Sequence, residues 1–153
     1  MKPATKRFFH AATLGVAASG ILWAWMAYVW SPGAEPDDPE LLLEWTDIHP
    51  GLPLVRTLHL FAAPLAVFAV GLIWSGHVAP RIFRPWARRL TGLLLALLVG
   101  PMVLSGVALQ TAASPEAREL WVWVHGTTSS AWILGYLAHL AGGKARGPRS
   151  ASG

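Results

Sequence analysis

Six histidines, His10, His49, His59, His77, His125 and His139, are the residues of this 153-residue chain best suited by type and spacing to hold something. His59 and His77 are 18 residues apart, five turns of α-helix, so on one helix they share a face. Their backbones are then roughly 27 Å apart along the axis. His125 and His139 are 14 residues apart, just under four turns, with a rise of about 21 Å. Cysteine is absent, which removes disulfides and thiolate ligands. The chemistry left is imidazole coordination, in two pairs of stacked donors.

The segments that must position these histidines are apolar and long. Residues 54–79, LVRTLHLFAAPLAVFAVGLIWSGHVA, carry His59 and His77 near opposite ends. Three more such stretches run over 8–30, about 88–110 and about 117–141, the last carrying His125 and His139. The sequence therefore predicts an all-α fold, a four-transmembrane-helix bundle of up-down topology over residues 8–141. A basic N-terminus, 1–7, and a disordered basic tail, 142–153, flank it. The first stretch is expected to be a retained helix, because its apolar run reaches Trp30 and exceeds the length of a signal-peptide core. Kinks are expected at Pro64 and at Gly100-Pro101. Ser114-Pro115-Glu116 reads as a helix start. No internal sequence repeat stands out.

The composition agrees with a membrane chain: 54% hydrophobic residues, 13% charged, and a mean hydropathy of +0.44. Nine tryptophans suit interfacial belts. The net charge of +4 is not read as a nucleic-acid footprint, because the charges lie at the ends of apolar runs. Lys2, Lys6, Arg7, Arg81, Arg84, Arg88, Arg89, Lys144, Arg146 and Arg149 fall on one expected side, and Arg56 and Arg118 on the other. All eight carboxylates share that second side: Glu35, Asp37, Asp38, Glu40, Glu44, Asp47, Glu116 and Glu119. The expected location is a bacterial inner membrane, multi-pass, with both termini cytoplasmic. The six-carboxylate loop offers a docking surface for a basic partner, or obeys topology alone. Within it ELLLEW, residues 40–45, reads as a short amphipathic helix, and His49 as an ordinary solvated residue. No Asp or Glu lies inside a span, which argues against a proton pump or cation transporter.

Depth pairs the histidines. The second and fourth spans run in the same direction, so His59 and His125 fall at the outer level, and His77 and His139 at the inner one. Zinc or copper normally takes three or four clustered ligands, whereas each level here offers two. Two imidazoles on opposite faces of a flat macrocycle are what six-coordinate haem b requires. Small residues suit a ring against a helix: Ala62, Ala63, Ala66 and Val70 lie between the first two histidines, and Thr128, Ser129 and Gly135 between the second two. Gly92 and Gly106, also 14 apart, offer close approach of a porphyrin, and Trp132 a wall for its edge. Arg56 or Arg118 for an outer haem, and Arg81 or Arg84 for an inner one, are candidate propionate contacts, with membrane anchoring as the alternative. His10, at a depth comparable to His139, is a rival inner ligand.

On these residues, with TLH at 57–59, SGHV at 75–78, RRLTG at 88–92 and LSG at 104–106, the chain resembles small four-helix, bis-histidine dihaem cytochromes b. These serve as membrane subunits, broadly similar to those of hydrogenases and formate dehydrogenases. The resemblance covers about residues 54–141. It implies two haems b and electron exchange between a periplasmic redox partner, such as a c-type cytochrome, and the quinone pool. In the formate dehydrogenase type the first helix supplies the inner ligand, which maps to His10. In another branch the second helix supplies two, matching His59 and His77, and SGHV with the following basic loop favours that branch. An electron-transfer subunit is expected rather than a stand-alone enzyme, with direct reduction of a quinone or superoxide as a further reading. The alternative is a haem-free membrane scaffold, or a copper- or zinc-handling protein using His49, His59 and His125.

Overall fold

The computed structural model describes residues 2–30, 48–82 and 89–144, apart from the side chains of residues 81, 82, 89, 143 and 144. The acidic loop with its ELLLEW segment, most of the basic connection including Arg84 and Arg88, the Arg81 side chain and the end of the basic tail lie outside the described residues. Among the described residues the chain is helical and has no strand.

Four long helices account for nearly all of it. Helix α1 (Pro3–Tyr28) begins ahead of the apolar run, with Pro3 in the first turn, where its missing N–H costs no hydrogen bond. It ends as the Val29 and Trp30 N–H groups both donate to the Trp25 carbonyl, at 3.0 and 2.9 Å. Helix α2 (Leu52–Ile73) runs on through Pro64 and into a π-helical turn, Trp74–Val78, then a last α-helical turn, Ala79–Ile82. His77 therefore lies in a widened turn, not at the end of five regular α-turns as its spacing implied. Helix α3 (Arg89–Thr111) contains Pro101, and helix α4 (Pro115–Lys144) follows after a short turn. Ser114 starts α4: its hydroxyl oxygen accepts the Ala117 N–H at 3.1 Å, with Pro115 next in line.

The chain divides into two compact units, Met1–Trp74 and Ser75–Gly153. In the first, α1 and α2 form an antiparallel hairpin. Phe8 meets Phe68 edge to face at 6.2 Å, and Ser19 meets His59 further along. In the second, α3 and α4 do the same. Thr91 meets His139, Ser105 meets His125, and between them the buried Trp132 donates its indole N–H to the Leu95 carbonyl at 3.1 Å. Trp132 also stacks on Tyr136, with centroids 5.6 Å apart and planes 4° from parallel. This side chain, a candidate wall for a porphyrin edge, ties two helices together.

Among the described residues three helical segments are long and apolar enough to cross a membrane: Pro3–Tyr28, Leu52–Val78 and Leu90–Thr111. Helix α4 is the longest at 30 residues but more polar. It carries His125, Thr127, Thr128, Ser129, Ser130 and His139 in addition to the charges of its first turn. Large apolar side chains face outward along the helices, with Leu90 79% and Phe61 72% exposed. Water penalises such a surface and lipid does not.

Candidate functional site

Three of the histidines each bring Nδ1 to a hydroxyl of the facing helix, and two of them to a carbonyl as well. His59, half-buried on α2, brings its Nδ1 to 3.1 Å from the Val16 carbonyl of α1 and 3.1 Å from the Ser19 hydroxyl. A carbonyl can only accept, so Nδ1 carries the proton and donates. The Ser19 hydroxyl proton is directed back to the Gly15 carbonyl at 2.8 Å or that of Val16 at 3.1 Å, as is usual for a serine inside a helix. Its lone pairs are then left for the imidazole. Gly20 completes the fit: a Cβ there would lie 2.9 Å from His59 Cε1.

His125 on α4 repeats this against α3. Its Nδ1 is 3.1 Å from the Met102 carbonyl and 3.2 Å from Ser105 Oγ, while Ser105 donates to the Met102 carbonyl at 3.0 Å. Ser105 is 1% exposed, so these partners satisfy a polar group sealed from solvent. A Cβ on Gly106 would lie 3.2 Å from His125 Cε1. Both cradles thus consist of a carbonyl, a serine three residues on and a glycine four residues on. Their sequences are Val16-Ala17-Ala18-Ser19-Gly20 and Met102-Val103-Leu104-Ser105-Gly106. The likeness escapes a search for internal repeats because only Ser-Gly is shared.

His139 has a looser version. Its Nδ1 is 3.2 Å from Thr91 Oγ1, and a Cβ on Gly92 would lie 3.9 Å from its Cε1. The carbonyl three residues before Thr91 belongs to Arg88, outside the described residues. The room left by Gly92 and Gly106, read from the sequence as space for a porphyrin, is bordered in fact by imidazole edges.

The structure brings His77 and His139 together within the second unit. Their ring centroids are 6.4 Å apart and their planes stand at 88°. The two rings thus meet edge to face across the second unit. His59 belongs to the first unit and His125 to the second. His10, the rival inner ligand, is half-buried on α1 with its ring 5.6 Å from that of Phe9. Among the described residues no three His, Cys, Asp or Glu side chains gather as a metal-binding group.

Two further side chains are placed by aromatic neighbours. Arg56 is exposed and places its guanidinium 6.0 Å from the centroid of Trp23, whose ring in turn meets His59 edge to face at 5.5 Å. His49, expected to be solvated, is half-buried against Trp25 and Trp30, at 5.9 and 5.0 Å. Its Nδ1 accepts the Gly51 N–H at 3.0 Å and so closes the start of α2, where Gly51 has no side chain to cap with. Ser19, Thr91, Ser105 and the two acceptor carbonyls are the site residues that sequence reasoning missed. A hydroxyl residue followed by glycine stands at all three places, 19–20, 91–92 and 105–106, but also at 75–76 and 152–153, so the pattern finds them only when paired with a facing histidine. No family model, no curated protein and no solved structure matches this chain.

Proposed function

We propose that the chain is a four-helix membrane cytochrome b, binding two haems b through His59, His77, His125 and His139 and relaying electrons. The observation that carries the reading is the common treatment of three of these imidazoles, each with Nδ1 hydrogen-bonded to a facing helix. In a neutral imidazole that donates from Nδ1, Nε2 holds the lone pair that binds a metal, and such hydrogen bonds commonly orient histidine ligands. The 6.4 Å separation of His77 and His139 supports them as two residues that would hold one haem between them, since two imidazoles bound end-on to one metal through bonds of about 2.0 Å would have centroids about 6 Å apart. A donor set of nitrogen alone, with two imidazoles to each iron, suits low-spin haem better than zinc or copper.

When bound, haem b supplies a reversible one-electron couple at its iron. The chain's own contribution is to fix the imidazoles, exclude water with apolar helices and set the electron richness of each Nε2 through the bond at Nδ1. The resemblance drawn from the sequence gives the setting. It implies four spans in a bacterial inner membrane, both termini cytoplasmic, with electrons exchanged between a periplasmic redox partner and the quinone pool.

A pyridine haemochrome assay on the chain purified in mild detergent tests the reading, together with a dithionite-reduced minus oxidised spectrum. Two haems b per chain with a low-spin reduced band are expected. Protein expressed with ample haem that carries none overturns the proposal.

A further inference from the structure

The hydroxyl–glycine pairs do more than pack. We infer that Ser19-Gly20 and Ser105-Gly106 are positioning residues, which hold His59 and His125 in the Nδ1–H tautomer and tune the basicity of Nε2. The inference rests on the proposed haem ligation for its redox consequence, but not for its account of the tautomer.

Each strong cradle is a triangle of polar atoms. In one, His59 Nδ1, Ser19 Oγ and the Val16 carbonyl oxygen are mutually 3.1 Å apart. In the other, His125 Nδ1, Ser105 Oγ and the Met102 carbonyl oxygen are 3.0–3.2 Å apart. The serine proton goes to a carbonyl, so the one proton left for the imidazole edge is that on Nδ1, shared between carbonyl and hydroxyl. In water imidazole exchanges its proton between its two nitrogens, and here the helix carbonyl admits one arrangement. The second acceptor pulls that proton further from the ring and leaves Nε2 richer in electrons. The glycine is required because a β-carbon would push the ring off both acceptors: it would lie 2.9 Å from Cε1 at Gly20 and 3.2 Å at Gly106. A residue that only packed a helix contact would need neither a hydroxyl at this position nor an acceptor aimed at Nδ1.

The full chain, isotope-labelled at histidine nitrogen and dithionite-reduced, is examined by NMR as purified, with any haem it carries. His59 and His125 are expected to show a protonated Nδ1 in slow exchange, in haem-loaded and haem-free protein alike. An Nε2–H tautomer at either, or rapid averaging between the two, overturns the inference whether or not haem is present. Redox titration of the haem-loaded chain supplies the second readout. Ser19→Ala and Ser105→Ala are expected to keep both haems and raise a midpoint potential. Ser19→Thr and Ser105→Thr are expected to restore it. Unchanged potentials in both alanine variants, with haem content intact, overturn the tuning role and leave the haem reading standing. Absence of haem from the parent chain overturns the haem reading and leaves the tautomer result to decide the cradle.

Discussion

The α1–α2 hairpin and the α3–α4 hairpin agree at one end and differ at the other. Each holds one histidine against a carbonyl, a serine and a glycine of the facing helix, His59 in the first and His125 in the second. Fourteen residues further along α4 comes His139, facing Thr91-Gly92, itself fourteen residues before Ser105-Gly106. The same step taken in the first hairpin lands on Ile73 and on Thr5-Lys6, with neither a histidine nor a glycine. His77 comes one helical turn later, inside the π-helical turn Trp74–Val78. A π-turn takes more residues than an α-turn, so part of the four-residue excess between the two histidine spacings is absorbed there. The second hairpin thus carries both of its α4 histidines on regular helix, whereas the α2 segment reaches its second histidine through an irregular turn, the kind found often at functional sites.

Removing ligands tests this difference most severely. His59→Ala, His125→Ala and His139→Ala are each expected to take the purified chain from two haems to one, read by haemochrome stoichiometry. The informative contrast is His77→Ala against His10→Ala. The first is expected to lose a haem and the second to keep both. If His10→Ala loses a haem and His77→Ala does not, the π-turn is packing and the ligand comes from α1.

The glycines grade the same comparison in stability. Alanine normally stabilises a helix interior by about 0.5–1 kcal/mol over glycine. Crowding a packed site costs about 1–3 kcal/mol. A Cβ would meet the imidazole at 2.9 Å for Gly20, 3.2 Å for Gly106 and 3.9 Å for Gly92. Detergent unfolding should therefore rank Gly92→Ala at or above the parent chain, Gly106→Ala below it and Gly20→Ala lowest. Equal effects at the three positions would mean that the rings yield freely and that the cradles are loose.

How far the sequence could be read follows from what each feature depends on. Three apolar helices and the turn at Ser114-Pro115 were legible because length, apolarity and proline act locally. The nearness of His77 to His139 was legible from depth along two spans read as running in the same direction. The π-turn was not, since Trp74-Ser75-Gly76-His77-Val78 holds no proline or other residue that specifies a widened turn. The cradles were not, because a serine in an apolar helix looks like any small packing residue until its partner across the hairpin is known. His49 was misjudged for a like reason. Its acidic neighbours in sequence predict solvent, while Trp25 and Trp30 reach it from the end of α1.

A smaller effect separates the ties within the second hairpin. Trp132→Phe removes the hydrogen bond to the Leu95 carbonyl and leaves an aromatic ring to stack on Tyr136. A loss of about 1 kcal/mol is expected on unfolding, with haem content unchanged. A fall in haem content would instead assign the indole to the binding site.

The smallest expected effect compares the two helix starts. Helix α2 closes its first turn with an imidazole, through the Gly51 N–H to His49. Helix α4 uses Ser114 and Glu116, and the Glu116 carboxylate is held below its ordinary value by its own backbone N–H and then by the Ser114 hydroxyl. A carboxyl with a depressed folded value stabilises the helix above its ordinary range, and that contribution fades as pH falls through the folded value. Because Glu116 is fully exposed, solvent screens the contribution heavily. Ser114→Ala removes the cap on Ala117 and one of the two bonds to Glu116, so the Glu116 titration midpoint should move up toward the ordinary value without reaching it. Carbon NMR of the glutamate carboxyls reads this directly, and an unmoved midpoint would leave the backbone N–H as the whole cause. The variant should also fray the first turn of α4 at neutral pH, while the His125 cradle, more than two turns further along the helix, keeps its Nδ1 proton.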